Sequence, residues 1–267
     1  MTSAADPNAP AALLSRVGHT ALITLNRPKA MNAVNQALSQ AVGEALEAAQ
    51  QDKAVRAVVI TGSGRAFCAG ADLKAIASGE DIFAPNHADW GFAGLVRHYI
   101  DKPLIAAVNG YALGGGTEIV LACDLAVISA EASLGLPEVK RGLVAAGGGL
   151  LRLHRQIPRK LALEMVLTGE PISAQVAAQV GLVNRVVSPS AVIDTAMELA
   201  AAIAENAPLA VQVSKRIAYR SNAAGDDWQA AMWDLNDQEC LPVFSSHDAQ
   251  EGPRAFAAKR PPVWRGE

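Results

Sequence analysis

The sequence predicts an α/β core followed by a helical tail. Three observations predict it: short continuous apolar runs that suit strands buried on both faces, glycine-bearing turns leading from such runs into helical patterns, and fading of that punctuation after Val187. The first runs, Leu13 to Val17 and Ala21 to Leu25, flank Gly18-His19-Thr20 and suit a hairpin that starts the sheet. After the turn-like Asn26-Arg27-Pro28, residues Ala37, Leu38, Ala41, Val42, Ala45, Leu46 and Ala49 recur at helical spacing, predicting an amphipathic helix over 35–51. Ala57 to Ile60, Leu104 to Val108 and Leu125 to Ile128 then read as buried strands, which implies a parallel sheet. Thr61-Gly62-Ser63-Gly64 leads to a helical 71–77, and Asn109-Gly110 to a helical 116–122. This strand-turn-helix unit recurs too irregularly to be a sequence repeat. Residues 189–207, 208–222, 226–240 and 245–258 read as consecutive helices separated by Pro208, Gly225 and Pro242. Their many alanines and few aromatics call for another covering surface, which predicts self-association.

Composition bounds the function. With 267 residues, 51% hydrophobic and 18% charged, the chain has room for one sizeable globular domain or a domain with an appendage, and is neither disordered nor fibrous. Its 23 Lys+Arg against 26 Asp+Glu give a formal charge of −3, so there is no basic excess to neutralise a nucleic acid. Cys68, Cys123 and Cys240 have neither disulfide-framework nor zinc spacing, which fits a reducing cytoplasm. Met1 to Pro10 lacks a signal pattern, and no apolar run reaches the roughly 18 to 20 residues of a bilayer span. The chain reads as soluble, with no membrane partner.

Three segments could carry chemistry. In Arg65 to Lys74 a strand ends in a glycine loop before a helix, whose unpaired N–H groups could hold an anionic oxygen; Asp72 reads equally well as a helix cap. In Asn109 to Glu118, three glycines before a helix would let a ligand approach the backbone closely, with the helix dipole favouring developing negative charge. Neither the phosphate-binding loop pattern nor the dinucleotide glycine pattern is met. Glu118 in that first turn has a purely structural reading as well, since the dipole favours an acid there. In Ser133 to Glu138 a carboxylate follows proline among Leu134, Leu136, Val139 and Leu143, where desolvation would poise it as an acid or base. The histidines (His19, His87, His98, His154 and His247) lack metal-ligand spacing, no Gly-x-Ser-x-Gly elbow occurs, and no metal is expected. Cys68 reads as either a lowered-pKa thiol or a buried structural one.

Taken together these motifs resemble the crotonase superfamily, the enoyl-CoA hydratase/isomerase enzymes. The resemblance runs from Asn26-Arg27-Pro28-Lys29-Ala30-Met31-Asn32-Ala33 through Ala69-Gly70-Ala71-Asp72-Leu73-Lys74, Gly114-Gly115-Gly116-Thr117-Glu118 and Leu136-Pro137-Glu138. It continues through Leu167-Thr168-Gly169 and Gly181-Leu182-Val183-Asn184 to Phe256-Ala257-Ala258-Lys259-Arg260, nearly the whole chain. It implies a crotonase (ClpP-like) spiral of ββα units over 1–190, holding the CoA-ester site, and a helical region over 191–267 that packs homotrimers or, as a dimer of trimers, homohexamers. The partner it implies is an acyl-CoA thioester, with CoA belonging to the substrate and no separate cofactor.

By the same resemblance the thioester oxygen sits between the N–H groups of Ala71 and Gly115, an oxyanion hole whose donors stabilise a developing enolate by roughly 3 to 4 kcal/mol each. Hydratases of the family carry two glutamates, matched by Glu118, read as the base toward water, and Glu138, read as the acid toward the α-carbon. Isomerases commonly keep only the second. Lys29, Met31, Ala33, Ala69, Asp72, Leu73, Gly114 and Pro137 match the CoA groove, and Phe256 and Lys259 match late adenine and phosphate contacts that a neighbouring subunit can lend. This chain departs from the family in having Gly142-Leu143-Val144-Ala145-Ala146-Gly147-Gly148-Gly149 without the expected proline, and an aromatic and polar stretch, Gly79 to His98, at the acyl-pocket wall. The expected activity is a cytoplasmic enoyl-CoA hydratase giving 3-hydroxyacyl-CoA. The alternatives are a carnitinyl-CoA dehydratase, an enoyl-CoA isomerase, or a non-catalytic acyl-CoA binder.

Overall fold

The computed structural model describes residues 9–221 and 229–267. The chain opens with the hairpin β1 (Ala12–Val17) and β2 (Thr20–Leu25), then α1 (Gln36–Gln51), which Asn35 caps by accepting from the Leu38 N–H at 3.1 Å. Three passes through two sheets follow. The first is β3 (Ala57–Gly62), β4 (Ala66–Cys68) and α2 (Leu73–Ala77); the second is β5 (Leu104–Val108), β6 (Tyr111–Leu113) and α3 (Gly115–Ala122). The third is β7 (Leu125–Ser129) and β8 (Ser133–Gly135), a 3-10 turn over Pro137–Arg141, then α4 (Gly149–Gln156) and α5 (Arg159–Thr168). β9 (Ile172–Ser173), α6 (Ala174–Gln179), β10 (Arg185–Val187), α7 (Val192–Ala204), α8 (Pro208–Ser221), α9 (Ala230–Phe244) and α10 (His247–Ala257) complete the chain.

The larger sheet has the order β1-β2-β3-β5-β7-β10, parallel except for the β1/β2 pair; the smaller has the order β4-β6-β8-β9. Each pass therefore crosses the large sheet, the small sheet and a helix, which is the ββα spiral. Strand periodicity builds two cores from the same strands. Val58, Ile60, Leu104 and Ala106 point to the interior shared with α1 and the small sheet. Ala57, Val59, Ile105, Ala107 and Val127 point to the opposite face, where Val192, Ala196 and Ala200 of α7 cover them.

One expected boundary fails. Pro242 does not separate a pair of helices but lies inside α9. It falls in the last helical turn, where the only hydrogen bond forfeited is that to the Gln238 carbonyl, so the helix runs on to Phe244. Gly225 and the expected helix start at residue 226 lie outside the described residues.

Candidate active site

Two backbone turns and two carboxylates converge where the small sheet meets the helix starts. The first turn follows β4. The Gly70 carbonyl accepts from the Val34 N–H at 2.8 Å and the Asp72 N–H donates to the Val34 carbonyl at 2.9 Å, while the Ala71 N–H between them has no acceptor among the described residues. Asp72 caps α2, accepting from the N–H groups of Lys74 and Ala75, and pairs with Arg27 at 3.0 Å. The turn is anchored from below by Asn32. Its buried amide donates to the carbonyls of Ser63, Ala66 and Phe67 at 3.0, 2.9 and 3.1 Å.

The second turn follows β6. The Gly114 N–H donates to the Gly135 carbonyl at 2.8 Å, and Gly115 is the first residue of α3, so its N–H has no helical acceptor and no other among the described residues. Glycine is required there. A Cβ on Gly115 would lie 2.2 Å from the Phe92 ring, and one on Gly116 2.0 Å from the Cys68 carbonyl oxygen. The two turns are close: a Cβ on Gly70 would sit 2.9 Å from the Leu113 carbonyl oxygen and 3.2 Å from the Gly115 nitrogen. Thr117, fully buried, ties the second turn to β8, its hydroxyl lying 2.7 Å from the Ala112 carbonyl and accepting from the Gly135 N–H at 2.9 Å.

Glu118 comes one turn into α3, yet its carboxylate reaches the next helix and accepts from the Gly149 N–H, at the start of α4, at 2.8 Å. Glu138 lies in the first turn after Pro137, with Oε1 against Gly114: a Cβ there would be 3.0 Å from it. Its Oε2 is buried without a hydrogen-bond partner. Burial pushes Glu118 up to about 7, the Glu138 charge pushing in the same direction, while the Gly149 and Gly147 N–H groups and the Arg152 guanidinium pull it back. Burial also raises Glu138. The donors are aimed at Glu118, from Gly149 and Gly147, whereas Glu138 Oε2 has no partner among the described residues.

Of the residues matched to a CoA groove, Met31, Ala33, Ala69 and Asp72 are brought together around the Asn32 turn: the Ala69 N–H donates to the Met31 carbonyl at 3.0 Å, and Arg27 donates to both the Ala33 carbonyl and Asp72. Lys29, Met31 and Leu73 are exposed beside them, and Gly114 and Pro137 adjoin Glu138. Phe256 and Lys259 are not brought there. They lie at the end of α10, with Phe256 88% exposed. The aromatic and polar stretch also divides. Phe92 packs on Gly115, but Trp90 packs on Gly43 of α1, stacked between His87 and His98, and His98 pairs with Glu47 at 2.9 Å. Asn32, Gly149 and Arg152 were not among the sequence candidates. Asn32, in the left-handed region at φ 56, carried a faint turn signal, whereas Arg152 reads as an ordinary polar-face arginine.

Cys68 is buried and its thiol pushed up to about 12, an inert structural cysteine. A separate cavity of about 330 Å³ between α3 and α8 is lined by Cys123, Asp124, Gln156 and Tyr219, but Asp124 is already paired with Lys215 at 2.8 Å. Among the described residues no group of His, Cys, Asp or Glu could hold a metal ion, and no helix is long and apolar enough to cross a membrane.

A family model described as Enoyl-CoA hydratase/isomerase matches residues 17–267. A carnitinyl-CoA dehydratase of Salmonella paratyphi A is 46% identical over 260 residues, covering 95% of this chain and 97% of the relative. Among solved structures, an enoyl-CoA hydratase from Mycobacterium tuberculosis H37Rv matches with a TM-score of 0.91 at 44% identity, over 97% of this chain and 100% of that one. A carnitinyl-CoA dehydratase from Mycobacterium avium 104 matches with a TM-score of 0.78 at 56% identity and the same coverage.

Proposed function

The chain belongs to the enoyl-CoA hydratase/isomerase family, and on that premise we propose that it is a hydro-lyase that adds water reversibly to a trans-2-enoyl-CoA, giving the 3-hydroxyacyl-CoA. The observation that carries this reading is a buried, donor-supported carboxyl and a half-buried one whose Oε2 has no partner, beside two backbone N–H groups with no acceptor among the described residues. Glu118 takes a proton from water as the oxygen bonds to the β-carbon. The electron pair moves onto the thioester oxygen, where the N–H groups of Ala71 and Gly115 stabilise the enolate by roughly 3 to 4 kcal/mol each. Glu138 gives its proton to the α-carbon as the enolate collapses. CoA enters as part of the substrate, with its pantetheine beside Met31, Ala69 and Leu73, and no other cofactor takes part in these steps.

A second reading, dehydration of a carnitinyl-CoA, is favoured by the names of relatives at 46% and 56% identity. A trimethylammonium group needs aromatic or acidic partners. The stretch best placed to offer them has Trp90, His87 and His98 already stacked on one another and His98 paired with Glu47, which favours a plain acyl group.

We further infer a homotrimer, paired into a homohexamer, formed through the tail. This is supported by α9, which has no buried residue and leaves Trp233, Leu241 and Phe244 at 58%, 65% and 76% exposure. Assembly would also give Phe256 and Lys259 a neighbour's CoA to contact. A cytoplasmic location fits the free thiols of Cys68, Cys123 and Cys240.

The test is loss of the conjugated enoyl-thioester absorbance against a panel of 2-enoyl-CoAs that includes crotonobetainyl-CoA. Saturable loss with crotonyl-CoA is expected, and Glu118→Gln should lower turnover by about 10² to 10⁴. Turnover confined to crotonobetainyl-CoA would favour the second reading. A folded protein silent across the panel would overturn both.

A further inference from the structure

The turn Gly147-Gly148-Gly149 is wedged between two charged groups, and each glycine makes room for one of them. A Cβ on Gly147 would fall 2.5 Å from Glu118 Oε2 and one on Gly149 3.1 Å from Glu118 Oε1, whereas one on Gly148, at φ +106, would fall 2.1 Å from Arg152 Nη1. The backbone thus runs as a single layer between the carboxylate on one side and the guanidinium on the other. Arg152 holds that layer. Its Nη2 donates to the Val96 carbonyl at 2.6 Å and its Nη1 reaches the Gly147 carbonyl in a long contact of 3.5 Å. Val96 follows Phe92, whose ring lies on Gly115. One half-buried guanidinium therefore spans the turn that donates to Glu118 and the segment that backs an oxyanion donor.

The geometry points to Arg152 as a positioning residue for the reaction, clamping the glycine turn so that the Gly149 N–H meets Glu118 while its positive charge favours the ionised carboxylate. The inference rests on Glu118 as the base. The titratable and charged groups facing Glu118 are Glu138, from the turn after β8, and Arg152, from α4; those facing Arg152 in turn are Glu118 and, held neutral by burial, Tyr219 of α8 and Cys123. Arg152 is the sole cation of this set among the described residues, so its removal should raise the pH at which Glu118 ionises. Lysine keeps the charge and loses the planar fork that spans two carbonyls.

The experiment compares wild type, Arg152→Gln and Arg152→Lys for kcat, KM, the acid limb of the kcat/KM profile, affinity for butyryl-CoA, and thermal melting. Expected for Arg152→Gln is a kcat lower by about 10²-fold, as for a small misplacement of reacting groups. Butyryl-CoA affinity should stay within about threefold, and the acid limb should move to higher pH. Arg152→Lys should lower kcat but leave the limb near wild type. A folded Arg152→Gln with unchanged kcat and limb would overturn the proposal, as would a kcat loss that tracks the melt with the limb unmoved. If Arg152→Gln does not fold, Arg152→Lys decides, since unchanged kcat overturns the proposal and a loss with the limb held supports it. Failure of both to fold would make the arginine purely structural. If instead Glu118→Gln keeps full turnover, it is the assignment of the base that has failed.

Discussion

In β3 every residue from Ala57 to Gly62 is buried and alternate side chains feed two apolar cores, whereas α9 has no buried residue from Ala230 to Phe244. The two regions are joined to the molecule by different forces. The spiral is held by close-packed aliphatic side chains. Beyond α7, which packs on the sheet, α8 and α9 are tied by charges: Lys215 to Asp124 at 2.8 Å, Arg216 to Asp101 and Glu239 at 2.6 and 2.7 Å, and Arg220 to Glu239 at 2.6 Å. The tail's last residues fold back onto α10, where Asp248 accepts from the N–H groups of Arg265 and Gly266, each at 2.8 Å, and Glu251 accepts from Arg260 and from the Val263 N–H. Part-exposed ion pairs contribute little each, so they orient the tail more than they stabilise it. A rigid spiral that can fix two N–H donors thus carries a tail whose α9 leaves Trp233, Leu241 and Phe244 exposed.

The sharpest way to break this contrast is a cavity under α7. Ile105 is fully buried between β5 and that helix, and Ile105→Ala should cost about 2 to 5 kcal/mol in urea unfolding. A cost below about 1 kcal/mol would show that the second core is dispensable.

Acid separates the regions next. Arg260 and the Val263 N–H hold Glu251 down at about 2, so its contribution is present above its ordinary value of 4.5 and lost as pH falls toward 2. Glu118 has the opposite sign: raised to about 7, its contribution is complete below 4.5 and lost as pH rises through 7. Between pH 4.5 and 2 the amides of 258–267 should therefore lose hydrogen-exchange protection before those of β3. Simultaneous loss would mean that the tail and the spiral open as one unit.

The smallest effect on the folded chain is expected at the tail's outer face. Phe244→Ser should change unfolding stability by no more than about 0.5 kcal/mol, because the side chain is 76% exposed, yet lower the assembly state in sedimentation. Unchanged sedimentation would remove Phe244 from the interface.

Much of the spiral and some of the site were legible in the residues. The strands announced themselves as apolar runs, Asn35 and the apolar spacing marked α1, the glycine turns pointed to two helix starts and to Glu118, and a proline in an apolar stretch pointed to Glu138. Each of these signals lies within one short segment. Arg152, whose carbonyl partner Val96 is 56 residues away, and Asn32, whose acceptors lie 31 to 35 residues on, gave no comparable signal. Long-range pairing also redirected the wall segment, sending Trp90 to α1 and only Phe92 to the site, and Pro242 was absorbed because it fell in a last turn.

Local sterics and periodic burial are properties of neighbouring residues, and they dictated where this chain bends, where its helices begin, and which faces of its strands turn inward. Whether the Ala71 and Gly115 N–H groups lie near each other, and whether Glu118 meets Gly149 with Arg152 behind it, depends on how the two sheets stack and how α4 returns across α3. That packing is settled by shape complementarity among residues far apart in the chain, and so it emerged only from the folded molecule.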